Sequence, residues 1–297
     1  MLATMKAIIA VLLCVAAAQA VDLTRVKPMR RSFEKPVPPM MFDSRIIGGQ
    51  QASDGQFPYQ VALTVDNSWF CGASVLSSTQ VLTAAHCGRG GSSFAMIFGV
   101  EDKSNGGNEP TRQDVTSNQA IVHEDYGPIF IINDVCLITL PAGALALGNT
   151  AIFHDTDVGT VRLPSRSQAN DMFVGATATV SGWGKATDAS PGTEQVMKWT
   201  TSTVISNTEC SDVYGTTTVN DGCICTDTAG GTSGTCSGDS GGPLTITESD
   251  GLPTQIGVVS FVASAGCESG LPDGFARTTF FLDWFQTNGD GSFTIRP

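Results

Sequence analysis

Hydrophobic and polar positions alternate along this chain in short runs that predict β-strands. Segments rich in Val, Ile, Thr and Phe are separated by clusters of Gly, Ser and Asn; examples are residues 60–65, 176–181 and 255–261. This spacing is typical of antiparallel strands that close into barrels. One helix is predicted near the end, because Phe281, Trp284 and Phe285 fall on one helical face before Gly289. The pattern therefore predicts an all-β fold with a C-terminal helix.

The first twenty residues have a different pattern. Lys6 precedes a short apolar run that ends in the small residues of 18–20. The run is shorter than the roughly 20 residues that a membrane-spanning helix needs, so a signal peptide is favoured over a membrane anchor. We therefore interpret residues 1–20 as a secretory signal peptide and expect an extracellular protein, with the gut lumen as one location.

Residues 21–45 are basic, rich in proline and poor in apolar periodicity. This composition predicts a flexible propeptide rather than a domain. The segment contains no cysteine, so no disulfide would hold it after cleavage. Removal of the signal peptide and the propeptide together, residues 1–45, leaves 252 residues, 46–297, which is enough for one large all-β domain or two small ones.

The charge of residues 46–297 restricts the partners of this part of the chain. Nine basic side chains stand against twenty-five acidic ones, a net charge of −16. Nucleic acid and anionic membrane would be repelled, so neither is expected as a partner. The lysines in this part are Lys103, Lys185 and Lys198. This scarcity suggests resistance to trypsin in a digestive lumen, although drift in composition explains it equally well.

Three residues are candidates for nucleophilic chemistry. Ser240 lies in a glycine-flanked segment, 236–244, that predicts a tight turn with an exposed hydroxyl. A serine hydroxyl needs a base to become a nucleophile, and His86 follows an apolar run that predicts a strand. Asp134 lies among apolar neighbours, where a carboxylate is rarely found unless it is paired. Asp134 could orient the imidazole of His86 and stabilise its charged form.

These residues stand in motifs that resemble the chymotrypsin-like serine endopeptidases, a family with the trypsin fold. The resemblance extends from Ile46 to about Phe285. The motifs are RIIGG at 45–49, TAAHC at 83–87, ND at 133–134, SGWG at 181–184, GDSGGP at 238–243 and SF at 260–261. Their common order makes the combined signal strong, although each motif is weak by itself.

The resemblance implies two six-stranded antiparallel β-barrels packed together, with a division near residue 165 and a C-terminal helix. His86 and Asp134 would come from the first barrel and Ser240 from the second, with the active site in the cleft between them. The backbone N–H groups of Gly238 and Ser240 would form the oxyanion hole. No cofactor is expected. The expected partners are protein or peptide substrates and protein protease inhibitors, and a monomer is expected.

The resemblance also implies activation by proteolysis. A trypsin-like protease would cleave after Arg45, and the new ammonium group at Ile46 would pair with Asp239. A buried carboxylate without a partner is strongly unfavourable, so the ion pair would organise the segment around it.

The cysteines are assigned by the same resemblance. Cys14 is lost with the signal peptide, and the implied disulfides are Cys71–Cys87, Cys210–Cys225 and Cys236–Cys267. Cys136 and Cys223 are left over. Cys223 is an alternative partner for Cys210, although Cys225 is favoured. Zinc-ligand spacing is absent, and the acidic loop with Glu101, Asp102 and Glu109 is expected to be solvated rather than a calcium site.

The residues of the implied specificity pocket are Gly234, Ser260, Val262 and Asp273. Gly234 would lie at the pocket floor without a charge, which argues against trypsin-like cleavage. Gly234 and Asp273 together resemble the arthropod collagenolytic enzymes called brachyurins and related insect chymotrypsin-like enzymes. Asp273 either reaches a basic substrate side chain or faces solvent or a hydroxyl.

Val262 would narrow the pocket entrance. We expect chymotrypsin-like cleavage after Phe, Tyr or Leu, with elastase-like or broad collagenolytic specificity as the alternative. A catalytically inactive homologue that acts as a binding protein is the alternative from another class. A regulated cascade protease is less favoured, because residues 21–45 contain no cysteine-bearing domain.

Overall fold

The computed structural model describes residues 26–28, 46–104, 109–148 and 158–297. The predicted signal peptide, Arg45 and most of the predicted propeptide lie outside the described residues. In chain order, the strands are β1 (Val26–Pro28), β2 (Gln50–Gln51), β3 (Gln60–Val65), β4 (Trp69–Val75), β5 (Gln80–Thr83), β6 (Phe94–Phe98), β7 (Gln113–Ser117), β8 (Gln119–Val122), β9 (Cys136–Thr139), β10 (Thr177–Gly182), β11 (Lys198–Ile205), β12 (Cys223–Thr226), β13 (Pro243–Thr247), β14 (Pro253–Ala263) and β15 (Asp273–Arg277).

The first sheet is antiparallel and curled. Its spatial order in the described residues is β7-β6-β3-β4-β5-β9-β8. Its two edge strands, β7 and β8, are separated along the chain by Asn118 alone. The sheet must therefore curl until its edges approach one another. The sheet has seven strands rather than the six expected, because residues 113–122 form two strands, β7 and β8, with Asn118 between them.

The second sheet contains a closed ring of six antiparallel strands. The order β14-β13-β10-β11-β12-β15 returns to its start because β15 also pairs with β14. Two short strands are added to this ring: β2 pairs with β11, and β1 pairs with the end of β14. The prediction of an all-β fold with two antiparallel barrels and a C-terminal helix is confirmed; the second sheet is a closed six-stranded barrel, and the first is a half-barrel. The division near residue 165 stays a prediction.

Polar contacts join the two sheets where they meet. The hydroxyl of Ser74 donates to Gln255 Oε1 (2.7 Å), and that of Ser181 donates to Gln60 Oε1 (2.7 Å). The backbones also approach closely, since a Cβ added to Gly72 would lie 3.0 Å from the Cα of Gly242. The sheets are thus fixed against each other beside the segment that carries Ser240.

The described residues contain three α-helices, namely α1 (Ala85–Gly88), α2 (Asn207–Tyr214) and α3 (Leu282–Asn288). The predicted C-terminal helix is α3, preceded by a 3₁₀ turn at Thr278–Phe281. Trp284 and Phe285 of α3 belong to the same core cluster as the interior of the first sheet. The last helix therefore packs against the first sheet. None of the helices in the described ranges has the length and apolar character needed to cross a membrane.

Helix α2 was not predicted from the sequence, although its start carries a recognisable signal. Ser206 caps the helix by accepting from the backbone N–H of Glu209 (3.2 Å), and Glu209 accepts in return from the backbone N–H of Ser206 (3.0 Å). This reciprocal pair is a capping box. Burial of Cys210 and Tyr214 attaches the helix to the second sheet.

Replacing the cap residue should destabilise the protein measurably. We expect Ser206→Ala to lower the free energy of unfolding by about 1 kcal/mol, because the Glu209 N–H loses its acceptor. Urea unfolding followed by far-ultraviolet circular dichroism measures the change. Ser249→Ala, at an exposed turn residue, is the matched control and should change the same quantity by less than about 0.5 kcal/mol. Equal effects of the two substitutions would contradict the capping role.

Candidate active site

Two neighbouring strands of the first sheet bring His86 and Asp134 together. Strand β5 ends at Thr83 and β9 begins at Cys136, and these two residues are paired across the antiparallel ladder. His86 lies in α1, just after β5, and Asp134 lies just before β9. The disulfide between Cys71 and Cys87 fixes the residue next to His86 to β4. The strand register therefore places the imidazole and the carboxylate at the same edge.

Three hydrogen bonds hold the carboxylate of Asp134, which is buried. His86 Nδ1 lies 2.7 Å from Asp134 Oδ2, and the backbone N–H of His86 donates to Oδ1 (2.8 Å). The hydroxyl of Ser260 donates to Oδ2 (2.6 Å) from β14 of the second sheet. A hydrogen on Nδ1 satisfies this arrangement and leaves Nε2 as the basic nitrogen. Ser260, expected in the specificity pocket, also contacts the carboxylate.

Ser240 lies in a turn that packs against the first sheet close to the end of β5. The backbone N–H of Gly72 donates to the carbonyl oxygen of Ser240 (2.7 Å). A Cβ added to Gly241 would lie 2.1 Å from Thr83 Oγ1, so glycine is required there. Since Thr83 precedes His86 by three residues, this contact places the turn of Ser240 close to α1, which carries His86. Gly238 has φ +107°, a backbone conformation that favours glycine.

Asp239 is fully buried beside Ser240. Its Oδ1 accepts from the backbone N–H of Gly184 (2.8 Å), and its Oδ2 accepts from that of Cys236 (3.0 Å). Burial raises the pKa of Asp239 to about 6 despite these bonds. Ile46 is also buried, and Ile47 forms a β-bridge with Gly234. The segment after the predicted cleavage site thus runs beside the segment that carries the nucleophile candidate.

Gly234 and Asp273 are direct neighbours. Gly234 has φ +145°, and a Cβ added to it would lie 2.6 Å from Asp273 Oδ2. Asp273 Oδ2 accepts from the backbone N–H of Thr235 (2.6 Å) and from its hydroxyl (2.9 Å). In the structure one oxygen of Asp273, Oδ2, is thus bonded to a hydroxyl. Thr235 was missed in the sequence analysis, because nothing local connects it to a residue 38 positions away.

Burial raises the pKa of Asp273 to about 7; the bonds from Thr235 oppose the shift, and the charge of Asp239 adds to it. Asp273 begins β15, and the next residue, Gly274, pairs with Phe261 of β14. A Cβ on Gly274 would lie 2.1 Å from the ring of Phe261, so only glycine permits this approach. Val262 follows Phe261 and is buried. The four predicted pocket residues are therefore near one another. Ser260 and Val262 lie near the end of β14, Asp273 begins β15, and Gly234 lies beside Asp273.

Comparison with known proteins identifies the family. A sequence model described as Trypsin matches residues 46–285. The chain belongs to the trypsin family. It is similar to brachyurin of Leptuca pugilator, with 40% identity over 242 residues that cover 82% of this chain and 97% of that protein. It is also similar to a collagenase of Hypoderma lineatum, with 36% identity over 251 residues, 83% of this chain and 88% of that protein.

A solved structure agrees with the sequence comparison. The structure of HL collagenase superposes with a TM-score of 0.69 and 37% sequence identity, and the match covers 82% of this chain and 98% of that one. Similarity extends to a chymotrypsin of Phaedon cochleariae, with 33% identity over 281 residues, 93% of this chain and 94% of that protein. This trypsin-family protein is a serine endopeptidase of the chymotrypsin-like group.

The disulfides of this trypsin-family enzyme join the pairs Cys71–Cys87, Cys210–Cys225 and Cys236–Cys267. These are the pairs that the resemblance implied, and Cys210 takes Cys225 rather than Cys223. Cys136 and Cys223 are buried thiols. Burial raises the pKa of both, that of Cys223 to about 12, and the thiol of Cys223 donates to the carbonyl oxygen of Thr218 (3.1 Å). Neither thiol has the character of a reactive cysteine.

Within the described ranges, two clusters of acidic, cysteine or histidine side chains have their potential ligand atoms close together, as a metal site requires. In the first, Cys236 and Cys267 form a disulfide and offer no thiolate. In the second, His123 stacks on Trp284 at 5.0 Å, and Glu124 accepts from the indole N–H of Trp284 (2.8 Å). Side chains of both clusters are thus already engaged in structural contacts.

The acidic loop uses its carboxylates on the backbone. Glu109 accepts from the backbone N–H groups of Glu101 and Asp102, each at 2.8 Å. Glu101 accepts from the backbone N–H of Gly55 (2.8 Å), and burial raises the pKa of Glu101 to about 7. These carboxylates thus organise the loop itself.

The raised pKa of Asp273 predicts how stability changes with pH. Its folded pKa of about 7 lies above the ordinary value of 3.8, so its contribution to stability is present below about pH 4 and is lost as the pH rises through about 7. We expect the free energy of unfolding of the uncleaved chain to fall less between pH 4 and 8 in Asp273→Asn than in the wild type. Urea unfolding at several pH values measures this difference.

The matched control is Asp212→Asn, at an exposed residue of α2. It should leave the pH dependence as in the wild type. A pH dependence that is identical in wild type and Asp273→Asn would contradict the raised pKa.

Proposed function

We propose that the chain is the precursor of a secreted digestive endopeptidase that is activated by cleavage after Arg45. The enzyme hydrolyses peptide bonds through an acyl-enzyme formed on Ser240. The observation that carries the proposal is the pair of hydrogen bonds from His86 to Asp134, at 2.7 Å and 2.8 Å, beside the turn of Ser240. His86 is the base, Asp134 orients it, and Ser240 is the nucleophile.

The mechanism follows from these positions. His86 Nε2 takes the hydroxyl proton of Ser240 as Ser240 Oγ forms a bond to the peptide carbonyl carbon. The backbone N–H groups of Gly238 and Ser240 receive the developing oxyanion. His86 then protonates the leaving amine, and the carbon–nitrogen bond breaks to give the acyl-enzyme. Water repeats the sequence, releases the carboxylic acid and restores Ser240.

Activation would add a positive charge beside Asp239. Cleavage by a trypsin-like protease creates an ammonium group at Ile46, which would pair with the buried carboxylate. The pKa of Asp239, raised to about 6 by burial, supports this role, because a carboxylate in such a place gains from a counter-charge. The ion pair would fix the turn that carries Gly238 and Ser240.

The preferred substrate has an uncharged side chain before the cleaved bond. Gly234 places no charge at the proposed pocket floor, and Thr235 already binds Asp273 Oδ2. Phe, Tyr and Leu are the expected residues. Elastase-like or broad collagenolytic cleavage is the second candidate, supported by Val262 and by the similarity to proteins named brachyurin and collagenase. We also propose that the enzyme is extracellular and monomeric and that protein protease inhibitors bind it.

Labelling with a fluorophosphonate tests the nucleophile. The wild-type protein cleaved after Arg45 should react at one residue, Ser240, and hydrolyse a chromogenic peptide. Ser240→Ala should lose the label and at least roughly a thousandfold in activity, because the acyl-enzyme cannot form. Mass spectrometry of the labelled peptide and steady-state kinetics measure the two effects.

Ser249→Ala is the matched control for this experiment and should keep both label and activity. Failure of the cleaved wild-type protein to take the label at Ser240 would favour a catalytically inactive binding protein. Full activity of Ser240→Ala would exclude Ser240 as the nucleophile.

The titration of Asp273 predicts a pH-dependent specificity. Above about pH 7 its carboxylate is charged, and a substrate with Arg before the cleaved bond should gain relative to one with Leu. We expect the ratio of kcat/KM for Arg over Leu to rise severalfold from pH 6 to pH 8.5. The ratio cancels every ionisation that affects both substrates equally.

Asp273→Asn should give a ratio that stays constant over the same pH range, and Asp212→Asn should behave as the wild type. A constant ratio in the wild type would show that the Thr235 contact keeps Asp273 away from substrate, and would overturn this prediction.

A further inference from the structure

A short strand from the predicted propeptide pairs with the end of β14. Strand β1 runs antiparallel to β14, with Val26 opposite Ala263, Lys27 opposite Val262 and Pro28 opposite Phe261. The pairing of β14 with β15 ends at Phe261. Among the described strands, β1 is therefore the ladder partner of Val262 and Ala263. Two segments far apart in the sequence thus form one continuous sheet.

The strand end that β1 covers adjoins the proposed active site. Ser260, one residue before this end, donates its hydroxyl to Asp134 (2.6 Å). Val262 belongs to the proposed specificity pocket, and Phe261, Val262 and Ala263 are all buried. An open strand edge beside a catalytic cleft binds an extended peptide by adding it to the sheet. Strand β1 therefore lies where the main chain of a peptide substrate would pair.

The register of the pairing explains why proline is tolerated in β1. Residues opposite each other in an antiparallel ladder alternate between pairs that exchange two hydrogen bonds and pairs that exchange none. Pro28 has no N–H, so it fits a pair without hydrogen bonds. Lys27 and Val262 then form the hydrogen-bonded pair. The N–H of Val26, by the same alternation, points away from β14.

We propose that residues 26–28 act as a built-in, substrate-like inhibitor that occupies the peptide-binding edge of β14. The proposal rests on the function proposed above, including cleavage after Arg45. Before cleavage the strand is tethered, which gives it an effective concentration in the millimolar range. Residues 21–45 contain no cysteine, so cleavage leaves the segment bound by non-covalent contacts alone. Release of the strand, in addition to formation of the Ile46 ammonium, then opens the edge to substrate.

Charge supports the retention of the cleaved segment. Residues 21–45 carry six basic and three acidic side chains, whereas residues 46–297 carry a net charge of −16. Opposite net charges attract the segment to the enzyme, and salt screens this attraction. The released propeptide is therefore expected to be a weak inhibitor at low ionic strength and a weaker one at high ionic strength.

Inhibition by synthetic propeptides tests the proposal. The peptide of residues 21–45 is added to the enzyme cleaved after Arg45, purified from its own propeptide, and the hydrolysis of a chromogenic substrate is measured. We expect competitive inhibition, with a raised apparent KM and an unchanged kcat. A peptide N-methylated at Lys27 should have an inhibition constant at least tenfold higher, because it loses the central donor of the ladder. A peptide N-methylated at Val26 is the matched control and should inhibit as the unmodified peptide does.

Absence of inhibition at millimolar peptide, non-competitive inhibition, or equal effects of the two N-methyl groups would each overturn the proposal. An enzyme that is inactive without any peptide would contradict the proposed function instead, so the two failures are distinguishable.

Hydrogen exchange of the full uncleaved chain gives a second test that does not need catalysis. The backbone N–H of Val262 should be protected in the wild type and in Val26→Pro, but at least tenfold less protected in Lys27→Pro. Proline at residue 26 removes an N–H that faces away from β14, whereas proline at residue 27 removes the bonded one. Equal protection in both variants would contradict the pairing.

Discussion

The buried carboxylate of Asp134 is the point on which the two halves of this peptidase depend. It receives two hydrogen bonds from His86, which lies in the first sheet's half of the molecule, and one from Ser260, which lies on the second sheet. A buried charge is tolerated only when its hydrogen bonds are satisfied, and here the donors come from both sides of the junction between the two sheets. The same carboxylate therefore fixes both the position of one sheet against the other and the orientation of the imidazole.

Glycines at the junction of the two sheets allow the backbones on its two sides to approach closely. Gly72 meets Gly242 across the junction, and Gly241 fits against Thr83 where a side chain would collide. The nucleophile candidate is thus held by main-chain contacts, which are less variable than contacts between long side chains. The polar pairs Ser74–Gln255 and Ser181–Gln60 add fixed distances beside it. These contacts together hold the turn of Ser240 against the first sheet.

Much of the fold and of the enzyme class could be predicted because the signals are local. Alternating apolar residues mark the strands, and the segments around His86, Asp134 and Ser240 each carry a short motif. Contacts between distant residues gave no such signal: the bond from Thr235 to Asp273 and the pairing of Lys27 with Val262 depend on how the chain returns to itself. Helix α2 was overlooked although Ser206 and Glu209 form a capping box.

The position of Cys223 has a consequence for how the chain acquires its disulfides. Cys223 and Cys225 stand two residues apart on β12, so their side chains share one face of the strand, yet Cys225 alone is bonded to Cys210. In an oxidising compartment a nascent chain offers Cys210 two competing thiols, and a wrong bridge would shift β12 against α2. Burial of the strand raises the pKa of the Cys223 thiol to about 12, which disfavours the thiolate that would attack the neighbouring bridge. Burial of β12 therefore favours retention of the Cys210–Cys225 bridge once that bridge has formed.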